Sequence, residues 1–139
     1  FKALCNMPWG MTAHVLYTAI DDRFPATTSR AVIERIIRGW IGFDGLLLSD
    51  DLSMQALGGT LAERAAASLA AGCDIALHFN GKLDEMQQVA QTTGALSDKA
   101  LDRAARAQRQ RHAAPIQPAA QDLAAWRQRL DTLLAAVSA

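Results

Sequence analysis

The stretch GLLLSDDLSM, residues 45–54, decides how this sequence is read. Leu46, Leu47 and Leu48 run straight into Ser49 and two adjacent aspartates, Asp50 and Asp51, after which a helix-like pattern resumes. An apolar run of strand length that does not alternate with polar residues is expected in a parallel sheet covered on both faces. Two carboxylates then stand at the mouth of a buried strand, and their purpose is the question the chain poses.

Upstream, MTAHVLY (11–17) reads as a second buried strand, followed by a loop with Asp21, Asp22 and Pro25. SRAVIERIIRGW places Val32, Ile33, Ile36, Ile37 and Trp40 at helical spacing, with Ser29 as N-cap and Gly39 and Gly42 at its end. Downstream, Gly58 and Gly59 break the chain before Thr60, which forms a capping box with Glu63. The alanine-rich helix LAERAAASLAA stops at Gly72, and DIALHF (74–79) is a third apolar run. Strand, helix, strand, helix, strand predicts an α/β fold with parallel strands.

The last third changes character. KLDEMQQVAQTTG puts Leu83, Met86 and Val89 on one helical face, and Ser97 caps a further helix, DKALDRAARAQRQRH. Its basic run, Arg103 to Arg111, is broken by alanines and glutamines and reads as a solvated face. Pro115 and Pro118 precede a final amphipathic helix whose stripe of Trp126, Leu130, Leu133, Leu134 and Val137 is expected to pack against the domain.

Composition narrows the classes. The 139 residues are half hydrophobic, enough for one sizeable core. Fourteen basic residues balance 14 acidic ones, which gives no electrostatic case for nucleic acid or an anionic membrane. Cys5 and Cys73 fit no metal or redox spacing and read as free thiols. No apolar run approaches the ~20 residues of a membrane helix, and no signal segment opens the chain. A soluble cytosolic protein is expected. The chain opens on Phe1, with Met7 and Met11 inside continuous structure, so it reads as a piece of something longer.

Three readings compete for Asp50 and Asp51. One or both cap the helix that follows the strand. Alternatively they form a magnesium-binding acidic pair like that of receiver domains, for which Asp74 and Lys82 are poorly placed as partners. Or one is catalytic, since parallel barrels and open sheets carry their chemistry at the carboxyl ends of strands.

Taken in order, MTAH, PAT, GFDG, SDDLSM and AGCDIALHFNG resemble the later barrel portion of family 3 glycoside hydrolases over about residues 8 to 81. More narrowly they resemble the bacterial cytosolic β-N-acetylglucosaminidases of peptidoglycan recycling. The resemblance implies a (β/α)8 TIM barrel, of which this chain holds the last three βα units, incomplete as a stand-alone barrel. Residues 8–95 would be barrel-like and about 97–139 terminal helices.

It implies a retaining hydrolase that releases terminal N-acetylglucosamine from cell-wall fragments, with Asp50 as nucleophile and no metal or cofactor. Asp51 keeps the capping role. His14 would line the pocket to contact substrate or nucleophile, or be a structural histidine; Met54 is a pocket wall or plain core. The family's general acid, a histidine on an earlier loop, and its sugar-binding arginine and lysine-histidine pair have no counterpart here. The chain therefore needs the missing N-terminal part of the barrel and is expected to be inactive alone. A non-catalytic α/β binding or assembly module on the same scaffold is the alternative.

Overall fold

A computed structural model describes residues 1–112 and 120–137. Strands β1 (Trp9–Met11) and β2 (Leu46–Leu48) pair in parallel, with Trp9 against Leu46 and Met11 against Leu48. The Thr12 amide adds one more rung to the Leu48 carbonyl at 2.9 Å. The first strand thus lies earlier than the 11–17 expected. Beyond Thr12 the backbone leaves the sheet, and the Val15 carbonyl accepts from the Ala26 amide at 2.8 Å instead of from a strand neighbour. Val15, Leu16 and Tyr17, apolar in sequence, are consequently exposed.

The third apolar run also departs from expectation. It lies parallel beside β2, but only Ile75 forms a bridge, to Leu48. Ser49 donates its amide to the Ile75 carbonyl at 2.9 Å, and its Oγ accepts from the Leu77 amide at 2.8 Å. A side-chain hydroxyl replaces a carbonyl as acceptor there, so the regular ladder stops and no strand forms over 74–79.

The helix between β1 and β2 spans Ala31–Trp40 and is wound as a π-helix, wider than the α-helix its spacing predicts. Ser29 secures its first turn: Oγ accepts from the Val32 amide at 3.1 Å and donates to Asp21 Oδ2 at 2.6 Å. Phe43, from GFDG, packs so close to Gly10 and Gly45 that a Cβ at either would lie within 3 Å of its ring. The ring joins Ile33, Leu47, Ala71 and Cys73 in the first core cluster. Burial pushes the Cys73 thiol up to about 12, leaving it protonated and unreactive.

Helix α1 (Leu61–Ala71) starts with the capping box the sequence promised: Thr60 Oγ1 accepts from the Glu63 amide, and Glu63 accepts from the Thr60 amide. It ends at Gly72, whose φ of 118° lies where side-chain-bearing residues are strained. A Cβ there would come within 2.9 Å of Ile33 Cγ2, so strain and collision add. Gly72→Ala is expected to destabilise the fold by about 1–3 kcal/mol, read as a lower urea midpoint at unchanged slope.

Helices α2 (Leu83–Thr93), α3 (Asp98–His112) and α4 (Ala120–Val137) follow. Ser97 caps α3 as expected, accepting from the Ala100 amide at 3.2 Å. Pro115 and Pro118 lie outside the described residues. Of the apolar face read on α2, Val89 is buried with Leu52, Leu57 and Ala65 in the second core cluster, while Leu83 and Met86 are exposed.

Two expectations for the last third are corrected. Trp126, Leu130 and Leu133 stand exposed on α4 instead of packing, because α1 and α2 already close that core against each other; the side chains of Leu134 and Val137 lie outside the described residues. The basic run is not wholly a solvated face either. Arg103 bridges Asp74 at 2.9 Å and Asp44 at 2.8 Å, and Arg106 reaches Asp44 at 2.8 Å. Those carboxylates draw two of its arginines inward. No helix of the described residues is long and apolar enough to cross a membrane.

Candidate active site

The carboxyl ends of β1, β2 and the 74–79 run lie side by side, and the paired aspartates emerge there, Asp50 two residues past Leu48. Burying the leucines of β2 fixes this position, since Leu46 and Leu47 fill the core and Leu52, fully buried, anchors the chain again just beyond. Between these anchors the backbone can only turn, and residues 52–57 form turns instead of the helix expected directly after the strand.

Asp51 is the hub of that turn. Its carboxylate accepts from the Ser53 amide at 3.1 Å and from the Ser53 hydroxyl, closing a local turn of the kind aspartate favours. Burial works to raise its pKa, but the Ser53 bonds and nearby His78 outweigh it and hold the carboxyl below its ordinary value. Asp51 thus holds the turn, though it caps no helix.

Asp50 is half-buried, and one oxygen, Oδ1, accepts from the Asp51 amide at 2.8 Å. Among the described residues Oδ2 takes no hydrogen bond. A carboxylate tethered through one oxygen and open at the other is oriented yet able to react.

His14 stands next to this turn but is engaged on both sides. Nε2 lies 2.9 Å from the Asp51 carbonyl, which can only accept, so Nε2 carries a proton. Nδ1 lies 2.8 Å from Thr27 Oγ1, which in turn lies 2.9 Å from Thr12 Oγ1. Of the two readings open for His14, the geometry favours the structural one: it fixes the backbone of Asp51 from below. Met54 is exposed, so it is not core. Its carbonyl accepts from Arg64 Nη1 at 3.1 Å, and the same nitrogen donates to the Leu52 carbonyl at 2.8 Å.

Sequence reasoning missed Thr27 and Arg64, which position this turn, and gave His78 beside it no role. Arg64 sits inside an alanine-rich helix, and only its isolation as a cation there could have signalled a reach to a neighbouring loop. Two open concavities, of about 290 and 380 Å3, lie at the opposite end, around Asp44, Arg103 and Arg106. Asp50 borders neither. Among the described residues no group of three or more histidines, cysteines or carboxylates could hold a metal.

Comparison with known proteins bears on this geometry. Residues 1–110 match the model of the glycosyl hydrolase family 3 N terminal domain. A 74-residue stretch is 47% identical to a beta-hexosaminidase of Tolumonas auensis, covering 52% of this chain and 22% of that enzyme. NagZ from Neisseria gonorrhoeae, solved with zinc ion, superposes with a TM-score of 0.58 at 34% identity, over 70% of this chain and 27% of that one. A family 3 beta-N-acetylglucosaminidase from a Paenibacillus species gives 0.60 at 26% identity, over 81% and 24%. The chain thus spans about a quarter of the length of these relatives.

Proposed function

Because the chain belongs to glycosyl hydrolase family 3, we propose that it carries the nucleophile of a retaining β-N-acetylglucosaminidase, and that this nucleophile is Asp50. The observation that carries the reading is the placing of Asp50: carboxyl end of a parallel strand, one oxygen tethered, the other open.

In this reading Asp50 Oδ2 attacks the anomeric carbon while an acid protonates the departing glycosidic oxygen. The C–O bond to the leaving group breaks as the ester bond to Asp50 forms. Water then attacks the same carbon, giving up a proton to the group that served as acid. The sugar leaves with its β configuration restored and Asp50 free again. His14 does not serve as that acid, because both its nitrogens are taken by Thr27 and the Asp51 carbonyl. The acid and the groups that hold the sugar hydroxyls come from sequence outside these residues.

The two strands and the 74–79 run would be the sixth to eighth strands of a (β/α)8 barrel, residues 8–95, with terminal helices from about 97. In support, the three segments are parallel and adjacent, and β1 leaves Trp9 and Met11 exposed at its flank, where a parallel sheet needs a neighbour. The substrates would be N-acetylglucosamine-containing cell-wall fragments met in the cytoplasm, with Met54 on the pocket rim.

The test is hydrolysis of an aryl N-acetyl-β-glucosaminide, with the product anomer followed by proton NMR. The full-length protein is expected to release the β anomer first. The 139 residues alone are expected to be inactive. Turnover by the isolated segment, or first release of the α anomer, contradicts the proposal.

A further inference from the structure

His78 is used by nothing described so far, yet its surroundings are unusual. Its side chain is only 3% exposed, and neither ring nitrogen has a hydrogen-bond partner among the described residues. Carboxylates lie on both sides. Asp51 Oδ1, from the turn after β2, is 3.7 Å from Nδ1, and Glu85 Oε2, from the first turn of α2, is 3.4 Å from Nε2.

A buried polar ring without partners is costly, and ionised carboxylates can only accept. Two acceptors facing two ring nitrogens match the imidazolium, which alone presents two N–H donors. Both facing carboxyls sit below their ordinary values. Glu85 is lowered chiefly by bonds from Asn80 and Lys82, and Lys82 Nζ occupies its other oxygen at 3.0 Å.

Asp51 is thereby gripped at three points. His14 holds its carbonyl, Ser53 holds its carboxylate with the His78 ring alongside at 3.7 Å, and its amide holds Asp50 Oδ1. We infer that protonated His78 is a positioning residue that clamps the turn carrying Asp50 to the first turn of α2. The inference rests on Asp50 being the reacting carboxylate. A side chain that cannot place positive charge between the two carboxylates releases them and loosens the aim of Asp50. A small displacement of a reacting group costs rate steeply, and His78→Gln is expected to lower kcat about 10- to 100-fold with little change in KM.

The test compares kcat and KM of the full-length protein with those of its H78Q and D50N variants, and reads the His78 ring protons of the wild type by 15N-histidine NMR at the pH of maximal kcat. Expected are two ring protons on His78, and in H78Q a lowered kcat at nearly unchanged KM. If H78Q does not fold, the wild-type spectrum still decides. A His78 carrying a single proton overturns the inference, as does an H78Q kcat equal to that of the wild type. An active D50N overturns instead the assignment of the nucleophile, so the two failures are distinguishable.

Discussion

Asp50→Asn in the full-length protein is expected to reduce kcat for an aryl N-acetyl-β-glucosaminide by roughly four to six orders of magnitude while leaving substrate binding nearly intact. The magnitude is that of removing an enzymatic nucleophile outright. Asparagine keeps the volume of the side chain, and its amide oxygen can still accept the Asp51 N–H that holds Oδ1 at 2.8 Å. What it loses is the negative charge that, in the proposed mechanism, bonds to the anomeric carbon and balances the oxocarbenium character developing there. Affinity, measured by titration with a non-hydrolysable N-acetylglucosamine analogue, is expected to change by less than about tenfold, because geometry survives. The same substitution at Asp51 is expected to act differently. Its carboxylate organises the turn through Ser53, so Asp51→Asn loosens the loop and lowers kcat without abolishing it. Equal loss at the two positions would point to a shared structural role.

At the other end of the strands, Asp74→Ala is expected to cost about 3–5 kcal/mol of stability, the range for removing one member of a buried ion cluster. Asp74 Oδ2 accepts from Arg38 Nη2 at 2.8 Å and the Leu47 amide at 2.9 Å, and Oδ1 accepts from Arg103 Nη1 at 2.9 Å. One carboxylate with 5% of its side chain exposed therefore ties the π-helix, β2 and α3 together. Alanine would leave the largely buried Arg38 without its counter-charge, facing an Arg103 that keeps only Asp44. Asp44 is the internal control. Its side chain is 63% exposed although it bridges Arg103 and Arg106, so Asp44→Ala is expected to cost no more than about 1 kcal/mol.

Hydrogen bonds from Arg103, then Arg106, hold the Asp44 carboxyl below its ordinary value. The native value being the lower one, what Asp44 contributes is complete above the unfolded value of about 4 and fades as acid takes the pH down through the native value. Urea midpoints for the two variants at neutral and acidic pH check both statements. Because the cluster lies at the amino ends of the strands, kcat of the folded Asp74→Ala enzyme is expected to be unchanged.

The parallel α/β character was legible from the leucines of 46–48 and the unalternating run at 74–79, and the capping box at Thr60 and the stop at Gly72 were legible to the residue. These features are local: a hydroxyl three residues before a glutamate, or a glycine after a helix, carries its own signal. Strand limits were less legible, because they depend on partners. Val15, Leu16 and Tyr17 look like strand but lose their ladder when Val15 bonds Ala26, and 74–79 loses its ladder to the Ser49 hydroxyl. The placing of both aspartates just past a strand's carboxyl end was legible from the residues, whereas the separate roles proposed for Asp50 and Asp51 come from the family resemblance. The supporting set of Thr27, Arg64 and His78 was not legible, since each acts through contacts that span between 10 and 27 residues of chain. The basic stretch of α3 misled for the same reason: its counter-charges, Asp44 and Asp74, lie far away in sequence.

The central claim is tested most directly by trapping the covalent intermediate. The full-length protein would be incubated with a slow-deglycosylating fluorinated N-acetylglucosaminide, digested, and its peptides sequenced by mass spectrometry. The account predicts one added sugar, in ester linkage, on the side chain of Asp50. A sugar found on any other residue, or turnover of the reagent with no adduct at any stage, would contradict it.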